Sequence, residues 1–438
     1  MLTKCRALGL GGSVLLAAGG LAAGALPREG FGIMRRHPGW GVVVAYTGLV
    51  LLITAWWRVG KLLPDVTPRD LIRTLVLWAA PLLLAPPLFS RDVYSYLAQG
   101  AMVGAGLDVY ELGPASYGGP LAAEVPAIWQ HTPTPYGPLF LLVATGVAAA
   151  AGAHLAVGVL GMRLIAVLGV ALLTAVLPGL ARRCGVDPAA ALWLGALNPL
   201  VLAHLVAGAH NDALMLGLLV AGLAAAQARR PGVGAALIAL AALVKAPAAL
   251  ALLFVGGTRW RATIHAAAVA AATTVAVTAV SGLGYGWVGA LNTPVSPENW
   301  SPTSVLGRLT GALLGTAHAV PLWRWTGLAA AVAVSAVLWL RRRELGPVYA
   351  VGLGLGAIVL FGPALRPWYL LWGLVPLAAA APDGRVRQVA AAACAGLAVV
   401  VLPSGFAPGA EQVAQALLGA TVAIALLLPR RPLIPATS

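Results

Sequence analysis

Apolar runs of bilayer-crossing length follow one another along most of the chain, separated by short polar turns. A helix of roughly 20 apolar residues spans a hydrocarbon core. The first run covers residues 8–26 behind Lys4 and Arg6, and is long for a cleaved leader, so it reads as a retained signal anchor. Later runs cover residues 41–57, 71–89, 155–180, 189–206, 213–228, 263–281, 325–340, 348–361, 368–380, 388–402 and 413–428. Two stretches break the pattern. Residues 139–151 are apolar but short, and are expected not to cross fully. Residues 232–254 divide into two short helices hinged near Lys245 to Pro247, a break tolerated where it lines a cavity or is buried in protein. The pattern predicts an all-α polytopic membrane protein of about 13–15 transmembrane helices. One integral-membrane domain would take in residues 1–438, with a large first external loop over 90–138 carrying amphipathic helices.

Composition excludes a soluble globular domain: 60% of residues are hydrophobic, 9% are charged and the mean hydropathy is +0.89. The formal net charge of +15 follows from arginine clusters between the apolar runs, which sort loops to the cytoplasm. It therefore predicts topology and no nucleic-acid partner. Arg182 with Arg183, Arg229 with Arg230, Arg341 to Arg343, Arg385 with Arg387, and Arg430 with Arg431 mark inner ends, and the basic interval 58–73 puts the amino terminus inside as well. The 90–138 loop then faces outward, as do Arg28, Arg35 and Arg36, against the positive-inside trend. Cys5, Cys184 and Cys394 are far apart and fit no disulfide or metal spacing. No P-loop, dinucleotide fingerprint or HExxH is present, so neither a cofactor nor a metal is expected.

The chemistry concentrates where polar residues interrupt this pattern. Ser90 is placed to cap a short helix running to about Gly104, on which Asp92, Tyr96 and Gln99 share one face and Val93, Leu97 and Ala101 another. That describes an amphipathic helix on the membrane surface, presenting a carboxylate able to take a proton from a hydroxyl. A dipole-stabilising Asp at a helix start is the plainer alternative. His210, Asn211 and Asp212 interrupt two apolar runs in GAHNDALML. Capping accounts for one of the three, which leaves a site lining to account for the others.

Lys245 stands alone near the middle of an apolar stretch, too deep for easy snorkelling. A cation at that hinge suits a phosphate head group. Arg366 opens a span at an outer end, beside Trp368 and Tyr369, and is a second phosphate candidate. The two aromatics also fit an interfacial belt. The outward Gly282 to Thr303 loop with Glu298 and Trp300 would join the same face. His131 and Tyr136 in QHTPTPYGP could shape an acceptor groove, although a rigid re-entry explains the prolines equally well.

Taken together, SRDVYSYLAQG, TPTPYGPLF, LNPLVLAHLVAGAHNDALMLGLLVAG, ALVKAPAALALL and LRPWYLLW resemble, in that order, the lipid-phosphosugar-dependent glycosyltransferases of the GT-C fold. The likeness covers about residues 71–376, and is greatest to the actinobacterial polyprenol-phosphomannose-dependent α-1,6-mannosyltransferases. The resemblance implies an acidic base in the first external loop, where Asp92 matches. It also implies a polyprenyl phosphomannose donor and a mannan acceptor of the lipomannan and lipoarabinomannan type, in the plasma membrane with an extracytoplasmic active site. Where the family sometimes carries a paired acidic motif, this chain has Arg91 before Asp92. On that reading Lys245 and Arg366 hold the donor phosphate, while Tyr96, His131, Tyr136, His210, Asn211, Asp212, Trp368 and Tyr369 line the sugar and acceptor sites. The alternatives are a lipid or sugar transporter, favoured by broken helices but not by the long external loop, a scaffold for envelope assembly, and an enzyme of the same fold using another lipid phosphosugar such as decaprenyl phosphoarabinose.

Overall fold

The computed structural model describes residues 1–27, 37–256, 260–293, 295, 299–381, 384–406 and 408–428. Glu298, the arginines Arg28, Arg35 and Arg36 expected to face outward, and the pair Arg430 and Arg431 lie outside the described residues. The chain begins with α1 (Leu2–Ala23), α2 (Pro38–Gly60) and α3 (Pro68–Leu83). The 90–138 loop carries α4 (Asp92–Gly104) and α5 (Gly119–Glu124), and returns through α6 (Pro138–Ala151). The central group is α7 (Leu155–Arg183), α8 (Pro188–Gly195), a π-helical turn (Val201–Ala207), α9 (Asp212–Gln227) and α10 (Pro231–Ala242). After a tight turn (Ala246–Ala251) come α11 (Leu252–Val255), α12 (Trp260–Ser281), α13 (Pro302–Leu314) and α14 (Ala319–Leu340). The chain continues through α15 (Arg342–Leu345), α16 (Pro347–Phe361), α17 (Leu370–Ala380), α18 (Gly384–Ala398) and α19 (Ala410–Leu427).

Proline writes many of these starts. Pro68, Pro138, Pro188, Pro231 and Pro347 stand in the first turn of their helices, where the missing N–H has no intrahelical partner to lose. Side-chain caps reinforce two of them: Thr67 accepts from Asp70 N, and Asp187 from Ala189 N and Ala190 N. Close approach between helices needs glycine. A Cβ on Gly217 of α9 would lie 2.6 Å from the Gly169 carbonyl oxygen of α7, so this contact exists only with a bare backbone. Most of the core is a large apolar cluster centred on α2, α3, α7, α8, α9 and α17, with two small satellite clusters beside it among the described residues.

Among the described residues, six helices are long and apolar enough to cross a membrane: α1, α2, α7, α12, α14 and α19. The bent pair of the π-helical turn and α9 makes a seventh if it is one span. Five further apolar helices are shorter, and they account for most of the difference from the 13–15 crossings read from the pattern. α6 is one of these, its 14 residues reaching about 21 Å, well short of the core. The expected hinge in 232–254 is present: α10 stops at Ala242, Lys245 is extended at φ −153° and ψ 118°, and the chain turns tightly before α11.

α4 departs from the expectation of a surface helix. Its polar face is as anticipated, but residues 93 to 100 are all buried, because α4 packs against α6, α5 and α7. Apolar residues on the second face of a short helix meet protein here, a choice that periodicity does not encode.

Candidate active site

Four breaks in helical structure meet at one place. The first is the start of α4, where Ser90 Oγ accepts from Asp92 N at 3.0 Å and sets the carboxylate at the helix mouth. Beside it, Arg91 fastens the loop: its guanidinium donates to Glu124, to the Glu124 carbonyl at 3.1 Å and to the Leu26 carbonyl at 2.8 Å. α4 stands outside the long spanning helices, and the Asp92 side chain keeps 21% of its surface exposed. Burial pushes its carboxyl above the ordinary value of 3.8, while the charges of Arg366 and then Lys245 pull it back down.

The second break lies between the π-helical turn and α9, whose axes are bent by 111°. Ala209 takes a left-handed φ of 54°, a conformation that costs a side-chain-bearing residue about 1–2 kcal/mol. The corner is held by Arg163 of α7, which donates to the carbonyls of Leu83 at 2.8 Å, Ala85 at 2.6 Å and Ala207 at 3.0 Å. His210, Asn211 and Asp212 emerge from it fully buried. Neither Asn211 nor Asp212 caps α9 with its side chain, so the capping alternative fails and all three face the site.

The third break is the Lys245 hinge. Lys245 Nζ lies 2.8 Å from Asp212 Oδ2, and Trp372 Nε1 donates to Asp212 Oδ1 at 2.6 Å. Both carboxylate oxygens of Asp212 are therefore engaged. The ammonium also lies over the rings of Tyr369 (4.7 Å), Trp372 (5.4 Å) and Tyr136 (6.0 Å). Phe140 N donates to the Leu243 carbonyl at 3.3 Å, joining this hinge to the returning loop. The fourth break is Arg366, extended at φ −129° and ψ 148° as a residue before proline must be. Its guanidinium covers Phe406 at 4.6 Å and Trp129 at 6.0 Å.

The aromatic residues fill the space between. Trp368 lies against His210 (ring centroids 4.0 Å apart) and His204 (5.1 Å), and Tyr369 stacks on Trp372 at 4.1 Å. Tyr96 packs edge-on against Tyr136 at 5.3 Å and Phe140 at 5.0 Å. Its hydroxyl lies 3.4 Å from His210 Nδ1 and 3.5 Å from Asn211 Oδ1. Asp92 Oδ2 is 3.6 Å from the same His210 nitrogen.

Ten of the eleven residues expected from sequence thus converge. His131 does not: it is exposed on the loop, and no hydrogen bond or ring contact joins it to the cluster among the described residues. Sequence reasoning missed Trp372, His204, Arg163, Trp129 and Phe406. Arg163 was open to detection, as a lone cation inside a long apolar run obeys the same logic as Lys245. Trp372, three and four residues beyond Tyr369 and Trp368, shares their helical face.

Comparison with known proteins bears on this arrangement. A family described as alpha-(1->6)-mannopyranosyltransferase, N-terminal domain, matches residues 6–262, and one described as the MptB C-terminal domain matches residues 302–429. A Mycolicibacterium smegmatis protein whose name is given as probable alpha-(1->6)-mannopyranosyltransferase is 37% identical, over 97% of this chain and 88% of its own length. A Mycobacterium tuberculosis alpha-(1->6)-mannopyranosyltransferase is 36% identical over 90% of this chain and 82% of its length. Alpha-(1->6)-mannopyranosyltransferase B of Corynebacterium glutamicum is 32% identical over 97% and 80%.

Proposed function

The chain belongs to the alpha-(1->6)-mannopyranosyltransferase family, and from that premise we propose that it moves mannose from polyprenyl phosphomannose to an α-1,6-mannan acceptor. The observation that carries this reading is the Asp92 carboxylate, partly open in an otherwise buried, aromatic-lined cluster with an arginine facing it. The fold would be of GT-C type, acting in the plasma membrane with the site on the extracytoplasmic side. That is the side on which arginine sorting puts the 90–138 loop.

In the proposed reaction Asp92 accepts the proton of the acceptor 6-hydroxyl as that oxygen bonds to the anomeric carbon of mannose. The bond from that carbon to the phosphate oxygen breaks, its electrons leave with the polyprenyl phosphate, and a single displacement inverts the centre. The departing phosphate gains negative charge, and Arg366 supplies a guanidinium for it, since it lies over the ring faces of Phe406 and Trp129 and no acidic partner holds it among the described residues. Lys245 contributes differently from a free cation. Its charge is balanced by Asp212 at 2.8 Å, so it offers the phosphate further N–H groups with little net charge.

Tyr96, Tyr136, Trp368 and Tyr369 would line the sugar and the first isoprene units. His131, on the exposed loop, would reach only a long acceptor. Asn211 Nδ2, His210 Nε2 and Trp368 Nε1 are buried with no hydrogen-bond partner among the described residues, which suits hydroxyl-rich surroundings.

The test is mannose transfer by purified protein in detergent, given polyprenyl phosphomannose and an α-1,6-mannoside, for wild type and Asp92→Asn. Product from wild type alone supports the reaction and the base. No product from folded wild type with intact donor removes this reaction.

A further inference from the structure

Building on the assignment of Asp92 as base, we infer that His210 is its positioning residue, with the Nδ1–H of the imidazole held toward the carboxylate to fix which oxygen faces the acceptor hydroxyl. Three observations converge. His210 Nδ1 lies 3.6 Å from Asp92 Oδ2, a separation that a small rotation of the aspartate side chain closes to a hydrogen bond. The ring itself cannot follow such a rotation: it is fully buried, lies 4.0 Å from Trp368 at an interplanar angle of 31°, and grows from the strained corner that Arg163 clamps. Rigid ring and partly open carboxylate are the arrangement in which one group aims the other.

The surrounding hydrogen bonds select the tautomer. The Tyr96 hydroxyl has an acceptor in Asn211 Oδ1 at 3.5 Å, so its proton is accounted for and its oxygen, 3.4 Å from His210 Nδ1, is left to accept. A bare Nδ1 would set a lone pair against the lone pairs of both Tyr96 and Asp92; a protonated one satisfies them. Tyr96 and Asn211 thus act on Asp92 through the histidine. Asp92 is faced in addition by Arg366 from the entry to α17, by Lys245 from its hinge, by Asp212 beside His210, by Tyr136 from the returning loop and by the Ser90 hydroxyl.

The inference is tested with the full-length protein by measuring kcat, donor KM and the pH profile of mannose transfer from polyprenyl phosphomannose. The variants are His210→Phe, which keeps a ring on Trp368 but has no N–H, and His210→Asn, whose amide reaches the Nδ1 position. His210→Phe is expected to lower kcat roughly 10–100-fold with donor KM little changed. Loss of a hydrogen bond to the charged form should also move the acid limb of the profile to higher pH. His210→Asn should recover most of the loss and return the limb. If the phenylalanine variant does not fold, His210→Gln, whose amide falls near Nε2 instead, is read in its place.

A raised KM with an unmoved acid limb would mean that His210 touches the sugar directly, and would overturn the inference. So would wild-type rates in His210→Phe, or an asparagine variant no better than the phenylalanine one. If Asp92→Asn is inactive while His210→Phe is unimpaired, His210 alone is overturned. If wild type makes no mannoside, the base assignment falls and this inference falls with it.

Discussion

Asp92 and Asp212 are two carboxylates of one site, and the protein treats them oppositely. Asp212 is completely buried, and each of its oxygens has a donor, Trp372 on one side and Lys245 on the other. Asp92 keeps one fifth of its side chain exposed, has only the Ser90 hydroxyl as a hydrogen-bonding neighbour of its carboxylate among the described residues, and faces an imidazole just out of reach. A carboxylate whose two oxygens are both held by strong donors holds structure together; one left partly open is available to accept a proton. The same contrast divides the cations. Lys245 is spoken for by Asp212, whereas Arg366 rests on aromatic faces with no acidic partner on its N–H groups among the described residues.

The contrast can be broken most forcefully at Asp92. Asp92→Asn should cut kcat by about 10²–10⁴-fold, the usual contribution of a general base, with thermal unfolding unchanged. In wild type the base works ionised, and burial raises its pKa, so kcat/KM should fall on acidification through a point above the ordinary 3.8. An acid limb at or below that value would count against this environment for Asp92.

The next effect belongs to the Lys245 and Asp212 pair, and is in stability. Lys245→Met should destabilise by about 3–5 kcal/mol, because it strands a buried charge. The double variant Lys245→Met, Asp212→Leu should regain most of that in the same denaturation assay. Additive losses in the double variant would show the two residues to be independent.

Arg366→Ala should then weaken donor use by roughly 10–100-fold, as expected for a charged hydrogen bond to phosphate. A rise in donor KM partly restored by lysine would support it, and an unchanged KM would remove Arg366 from the phosphate site. The smallest effect is at Trp372. Trp372→Phe removes one N–H from Asp212 and should cost about 1–3 kcal/mol of stability, leaving kcat within a few fold. A loss of kcat as large as that of Asp92→Asn would erase the distinction between the two carboxylates.

Much of the site was legible because a membrane protein cannot hide polar residues in an apolar run without a reason. His210 to Asp212, Lys245 and Arg366 stood out against their neighbours, and all five meet in space. His131 stood out as well, among prolines and a tyrosine, but a loop reaches water, where a polar residue needs no partner. The misreading of α4 has a related cause. Apolar residues on both sides of a short helix serve lipid and protein equally well, and only the packing of α6 and α7 against α4 says which.

The sequence by itself determined the solvent and the class of fold. Runs of apolar residues need helices in lipid, arginines sort the loops, and prolines and glycines mark where helices start, stop and meet. It also determined which residues were too costly to be idle. Tertiary structure alone decided their partners. Whether a carboxylate is a base or a brace depends on what surrounds it, and those neighbours, Trp372 and Lys245 for Asp212 and His210 for Asp92, come from residues 33 to 160 positions distant or 118 positions distant by sequence number. No local pattern spans such separations, because the contacts form only when four interrupted helices bring their broken ends together.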